Sequence, residues 1–293
     1  MTITSILPMS VEKSIEKFIN QNVEYQKLRE KFFPNALLRE DVLGLLDRFC
    51  TVVYFPIENE DNNGFHITDV PFAGGTPHNF VYINTAQTME KQVFTAAHEL
   101  GHIWNVDQFV LKDLGLENTT ERCEMIINRF AAVLLIPEDI FRNSVDSVLD
   151  DYLNPDGRIT VINLLKLVVV LMNQFFVPMK AIVLRLAELN YISLENANDL
   201  LGNSHLDKVK IEELVQSLIT DFGYVKFQAP SMKKWIDGLS EKLDIAEAQH
   251  LVPQEKIDHI RKEFDLARPP VLATEMTDTL QFTSQEGAKD NDN

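Results

Sequence analysis

His98-Glu99-Leu100-Gly101-His102 is a spacing that can do chemistry. On a helix running from residue 88 to residue 105, histidines four positions apart share one face, with Cβ atoms roughly 6 Å apart, so both imidazoles can bind one zinc ion. Glu99 is turned about 100° from His98 and about 60° from His102. That is too far round for a ligand from this turn, but it suits a general base that takes a proton from water at the metal.

A helix that offers histidines to a pocket must bury its other side. With Val93 at zero and about 100° per residue, Ala97, Leu100 and Trp104 fall within about 40° of it, flanked by Ala96 and Ile103. His98 and His102 fall at about 140° and about 180° on the same scale. The apolar stripe and the histidine pair therefore face opposite ways, as an active-site helix packed on a core requires.

A hydrolytic zinc site needs a third protein ligand and one open position. The next amphipathic helix supplies three candidates: Glu121, Cys123 and Glu124. Glu121 has a structural explanation, because with Asn118 it forms a capping box at the start of this helix. Two histidines and a cysteine are a less common hydrolytic set, and a buried cysteine is ordinary. Glu124, inside the helix beside its apolar face, is the favoured ligand. Asn128, one turn further on, is placed to hydrogen-bond the far nitrogen of a ligating histidine.

The elements that must position these groups read as follows. Residues 10 to 31 have helical spacing (Val11, Ile15, Phe18, Ile19, Val23) closed by Pro34, and Leu37 to Phe49 is a second helix. Cys50 to Phe55 is a strand ending at Pro56, Asn62-Asn63-Gly64 is a turn, and Phe65 to Ile67 is the returning strand. After a second turn, Ala73 to Pro77, Asn79 to Asn84 is a third strand. A small antiparallel sheet is thus expected ahead of the histidine helix. Asn105 to Asn118 reads as a polar loop, and Pro137 ends the ligand helix. From the sheet side Tyr82, His66 and His78 are candidates for the second oxyanion-stabilising group or for substrate contacts. The strand 79–84 could take substrate as an added strand at its edge.

These residues carry a family resemblance. H-E-L-G-H followed, 22 residues after His102, by Glu124-Met125-Ile126-Ile127-Asn128-Arg129-Phe130-Ala131-Ala132-Val133-Leu134-Leu135-Ile136-Pro137 resembles the ImmA/IrrE metallopeptidases. The strand Val81 to Asn84 is similar as well, and the resemblance spans roughly residues 36–192. One departure is Ile127, where the family usually has Ala. The resemblance implies Glu124 as third ligand, one zinc ion per chain, a zincin-like fold and a gluzincin-like peptidase. It also implies a protein substrate, often a repressor encoded nearby.

Beyond the motifs, Val161 to Phe175 and Met179 to Leu189 form a helical unit, which the resemblance likens to a helix-turn-helix outline. Its acidic-to-neutral character points to packing or partner contact instead of DNA reading. Leu206 to Ile219 and Met232 to Phe264 are amphipathic helical stretches, Arg268-Pro269-Pro270 ends them, and the acidic tail 271–293 is expected to be disordered. The expected layout is an N-terminal helical segment (1–35), the zincin-like domain (36–150), a helical subdomain (151–194), a helical extension (195–270) and the tail. The fold class is α+β with a mostly helical C-terminal region.

The 293 residues are 45% hydrophobic, enough for a sizeable core, and 27 basic residues face 44 acidic ones for a net charge of −17. Such a balance disfavours direct nucleic-acid binding and anionic membranes. Cys50 and Cys123 show no metal-knuckle or redox spacing, which fits a reduced compartment. The N-terminus lacks a basic leader and the run Val161 to Met172 is too short to span a bilayer, so a soluble cytoplasmic protein is expected. Two functions fit: a zinc endopeptidase with Glu99 as base, or a metal-binding regulator that sequesters a partner without turnover. Glu99 favours the first, since a purely structural site has no use for it.

Overall fold

Two strands that run parallel, although a third lies between them in the chain, set up the front of the molecule. A computed structural model describes residues 7–32, 37–59, 62–70, 78–202 and 207–266. In chain order the elements are α1 (Met9–Gln21), α2 (Val23–Phe32), α3 (Asp41–Leu46), β1 (Thr51–Phe55), β2 (Gly64–Val70), β3 (His78–Asn84), α4 (Met89–Ile103), α5 (Val106–Leu114), α6 (Thr120–Leu135) and α7 (Glu138–Val148). They continue with α8 (Val161–Phe175), α9 (Met179–Glu188), α10 (Leu194–Leu200), α11 (Lys208–Asp221), α12 (Val225–Gln228), β4 (Trp235–Ile236), α13 (Leu239–Ala248) and α14 (Gln254–Glu263). The class is α+β with a helical C-terminal region.

The sheet order is β2-β3-β1-β4, and the sheet is mixed, which corrects the antiparallel expectation. The turn at Asn62 to Gly64 does not fold β2 back on β1. The chain instead crosses to the outer edge, so β3 returns between them, antiparallel to β2 (Phe65 opposite Tyr82) and parallel to β1 (Val53 opposite Tyr82). As β3 is internal it has no free edge for an added strand; among the described residues β2 and β4 are the outer strands. β4 was missed in the sequence. Met232 to Gly238 is not helical, because Trp235 and Ile236 pair antiparallel with Tyr54 and Val53.

Three further expectations change. The helical pattern 10–31 is two helices broken at Asn22, whose ψ of 90° leaves the helix and whose Oδ1 caps the Tyr25 N–H at 3.0 Å. Leu37 to Phe49 yields only the short α3, with Arg39 at φ 44° just before it. The supposed loop 105–118 contains α5, since Val106, Val110 and Leu111 form a buried stripe. Left-handed Asn105 (φ 54°) and Gly115 (φ 62°) mark its two ends. Pro34, the turn 73–77 and the tail 271–293 lie outside the described residues.

One core runs from Val11 and Ile15 of α1 through Val81 and Ile83 of β3 and Leu100 of α4 to Leu186 of α9. Inside it, buried Glu12 of α1 is ion-paired to Arg129 of α6 and to Arg185 of α9, and Arg129 is also paired to Glu188. This ties three helices by charge. Among the described residues no single helix is long and apolar enough to cross a membrane; α8 and α9 together would be, but they bend by 108° and most of both is buried. The chain forms two compact units, residues 1–241 and 242–293. In the second, Arg261 of α14 pairs with Asp244 and Glu247 of α13.

Candidate metal centre and catalytic groups

The site is built on the entry and the packing of α4. Asn84, fully buried at the end of β3, accepts from the Ile57 and Ala86 N–H groups (2.9 and 3.1 Å) and donates to the carbonyls of Ile57 (2.9 Å) and Asn62 (2.7 Å). From the other side, Thr85 donates to the Lys233 carbonyl at 2.7 Å, and Ser231 donates to Gln92 of α4 at 2.8 Å. The polar groups of a buried loop must all be satisfied. Here Asn84 and the strap 230–236 satisfy them, and so fix where α4 begins. The sequence reading missed both. A lone Asn at a strand end is a weak signal, and the strap is distant in sequence.

Along α4, Val93, Ala96, Ala97 and Leu100 are buried, on the face expected for the core. Trp104 follows them into an aromatic cluster with Phe49 and Phe130. Gly101 faces α6, where an added Cβ would lie 2.7 Å from Phe130 Cδ1 and 3.2 Å from Ile127 Cδ1. The bulk of Ile127 is therefore matched by a glycine opposite it. Thr119, accepting from the Arg122 N–H, caps α6 in place of the expected Asn118.

This crossing brings His98, His102 and Glu124 together. The two Nε2 atoms are 3.2 Å apart, and Glu124 places Oε2 3.5 Å from that of His98 and Oε1 3.5 Å from that of His102. Two ligand atoms at about 2.1 Å from a tetrahedral ion stand about 3.4 Å apart, so the three groups have the spacing and the chemistry of a divalent metal site with one position open. Asn128 donates to the Glu124 carbonyl at 2.8 Å, which turns its Oδ1 to His98 Nδ1 at 3.1 Å. That bond puts the His98 proton on Nδ1 and leaves the Nε2 lone pair pointing at the site. His102 is held below its ordinary pKa by burial, and next by His98, which keeps its imidazole neutral.

Glu99 is buried, and its Oε2 accepts from His66 Nδ1 at 2.8 Å. The His66 ring stacks on His102, centroids 4.4 Å apart. The hydrogen bond to Glu99 raises the His66 pKa against the opposing effect of burial. His66, Glu99 and His102 thus form a second cluster with ligand atoms within 4.8 Å, sharing His102 with the first. In a third cluster, Glu12, Glu16 and Glu138, Glu12 is paired to Arg129 and Arg185 and Glu138 to Arg142.

The remaining candidates lie elsewhere. Tyr82 sits opposite Phe65 in the ladder, on the face of the sheet away from His66, and donates its hydroxyl to the Phe55 carbonyl at 2.9 Å. His78 is at the exposed start of β3, and Glu121 is exposed. Cys123 donates to Asn118 Oδ1, and burial followed by Asp107 pushes its thiol up to about 11, away from the thiolate a metal needs.

A mixed sheet backing an H-E-x-x-H helix, with a carboxylate delivered by the next long helix, defines a metallopeptidase domain. Residues 48–187, a little under half of the chain, match the family described as the IrrE N-terminal-like domain. A similar protein is the radiation response metalloprotease IrrE of Deinococcus radiodurans, 38% identical over 86 residues. That match spans 28% of this chain and about a quarter of the relative's length (25%).

Proposed function

We propose that the chain is a zinc-dependent, gluzincin-like endopeptidase acting on a specific protein, with a repressor encoded nearby as the expected substrate. The observation that carries this reading is the convergence of His98, His102 and Glu124 beside a buried Glu99. These three would hold one zinc ion, which when bound acidifies water and polarises the scissile carbonyl.

The chain's own groups do the rest. Glu99 has one carboxylate oxygen engaged by His66, so the other is the acceptor for the water proton and later its donor to the leaving nitrogen. His66 fixes that orientation from β2, and Asn128 fixes the tautomer of His98. β2 has no described strand on its outer side, and its backbone can receive an extended segment next to His66 and Glu99.

The test is co-expression with the product of the adjacent gene, comparing wild type with Glu99→Gln and mapping fragments by mass spectrometry. Defined fragments with wild type alone are expected. Equal loss of partner function with both proteins, and no fragments, would replace hydrolysis by sequestration.

A further inference from the structure

Next to the histidine pair, α4, α6 and α9 border a half-open cavity of about 350 Å³ that the chemistry above does not use. Its apolar lining comes from Leu7, Phe94, Met125, Ala132, Pro178 and Leu184. Its wall is continuous with the site. Phe94 is one turn before His98, Met125 directly follows Glu124, and Asn128 both lines the cavity and hydrogen-bonds His98. Three charged residues also line it: Arg129 and Glu188 are paired to each other, with Arg129 paired to Glu12 as well, and Lys180 is exposed to solvent. Apart from Lys180, the lining therefore offers little to a charged group and much to an apolar one.

We infer that this cavity receives a large apolar side chain of the substrate protein, from a residue flanking the scissile bond, and selects the cleavage site by it. The inference rests on the peptidase reading for the words "scissile bond", but the cavity can be tested without turnover. Burying a leucine-sized side chain discriminates by at least about ten-fold against glycine.

Wild-type protein with zinc is incubated with a tryptic peptide library, and the new termini are read by mass spectrometry. Leu, Ile, Met or Phe at one flanking position should exceed Gly and Ala by about ten-fold. Ala132→Phe, which fills the cavity, should move the preference to Gly and Ala. Phe94→Ala, which enlarges it, should admit Trp, and serves if the first variant does not fold. Unchanged preferences in a folded variant overturn the inference.

In parallel, methyl resonances of Ala132 and Ala181, which both line the cavity, are followed in Glu99→Gln. They are titrated with blocked pentaglycine and with the same peptide carrying a central leucine. Shifts with the leucine peptide alone support the pocket, even if the library remains uncut and the hydrolytic reading fails. Identical responses to both peptides overturn it. Shifts that appear only after residues 1–6 are deleted would assign the cavity to the chain's own N-terminus and overturn its assignment to substrate.

Discussion

Gly101 of α4 and Phe130 of α6 meet where no side chain can be added: a Cβ on Gly101 would stand 2.7 Å from Phe130 Cδ1. This contact sets the distance between the helix that carries the histidines and the helix that carries Glu124. Alanine at a helical glycine gains about 1 kcal/mol of propensity, whereas overpacking costs typically about 1–3 kcal/mol. Gly101→Val, which gains less propensity and adds more bulk, should lose about 2–3 kcal/mol by denaturant titration and weaken metal binding as the helices separate. Wild-type stability and metal affinity in this variant would contradict the account.

Ligand identity is separable by metal analysis. Glu124→Ala should leave purified protein with substoichiometric zinc, whereas Cys123→Ala should retain about one ion per chain. The reverse pattern would move the third ligand to Cys123.

Asn128 contributes through His98. Asn128→Leu should lower zinc affinity about 10–100-fold in competition with a chromogenic chelator, with the fold intact by circular dichroism. An unchanged affinity would show that the His98 orientation does not depend on this bond.

Glu99 and His66 should separate metal binding from turnover. Glu99→Gln is expected to bind zinc and lose about 10²–10⁴-fold in kcat. His66→Gln, which can still donate a hydrogen bond, should retain much more activity than His66→Leu, with KM little changed. Equal activity in the two His66 variants would remove His66 from the mechanism.

Acid stability reports the buried charge cluster. Burial raises the Glu12 pKa, but Arg185 and Arg129 outweigh it, so the folded value lies below the ordinary 4.5. A lowered carboxyl pKa stabilises the fold above the unfolded value, and the contribution disappears as pH falls through the folded value. Wild type should therefore lose stability as pH drops below about 4.5, and Glu12→Gln should show a shallower acid limb. At neutral pH that variant should be about 3 kcal/mol less stable, because it leaves two buried arginines with only the Glu188 carboxylate between them. Urea titrations from about pH 3 to pH 7 measure both.

What could be read from the chain by itself was local. The i, i+4 histidines, the apolar stripe from Val93 to Trp104 and the succession of β1, β2, β3 and α4 all follow from periodicities that neighbouring residues set. Even the nomination of Glu124 used its place on the next helix and the resemblance of that helix to a family pattern. The tertiary structure decided what distant residues share. Strand pairing depends on which edge the chain crosses to, so β3 went between β1 and β2, and β2 became an outer strand among the described residues. β4 exists only because Trp235 and Ile236 find β1, far back in the sequence. The partners of Glu12 lie on α6 and α9, and the His66–Glu99 bond joins a strand to a helix across 33 positions. Such contacts are pairwise in space and leave no periodic trace in the chain. Hence the histidine pair was legible at once, whereas the bond that orients Glu99 and the cavity beside His98 appeared only when the helices were packed.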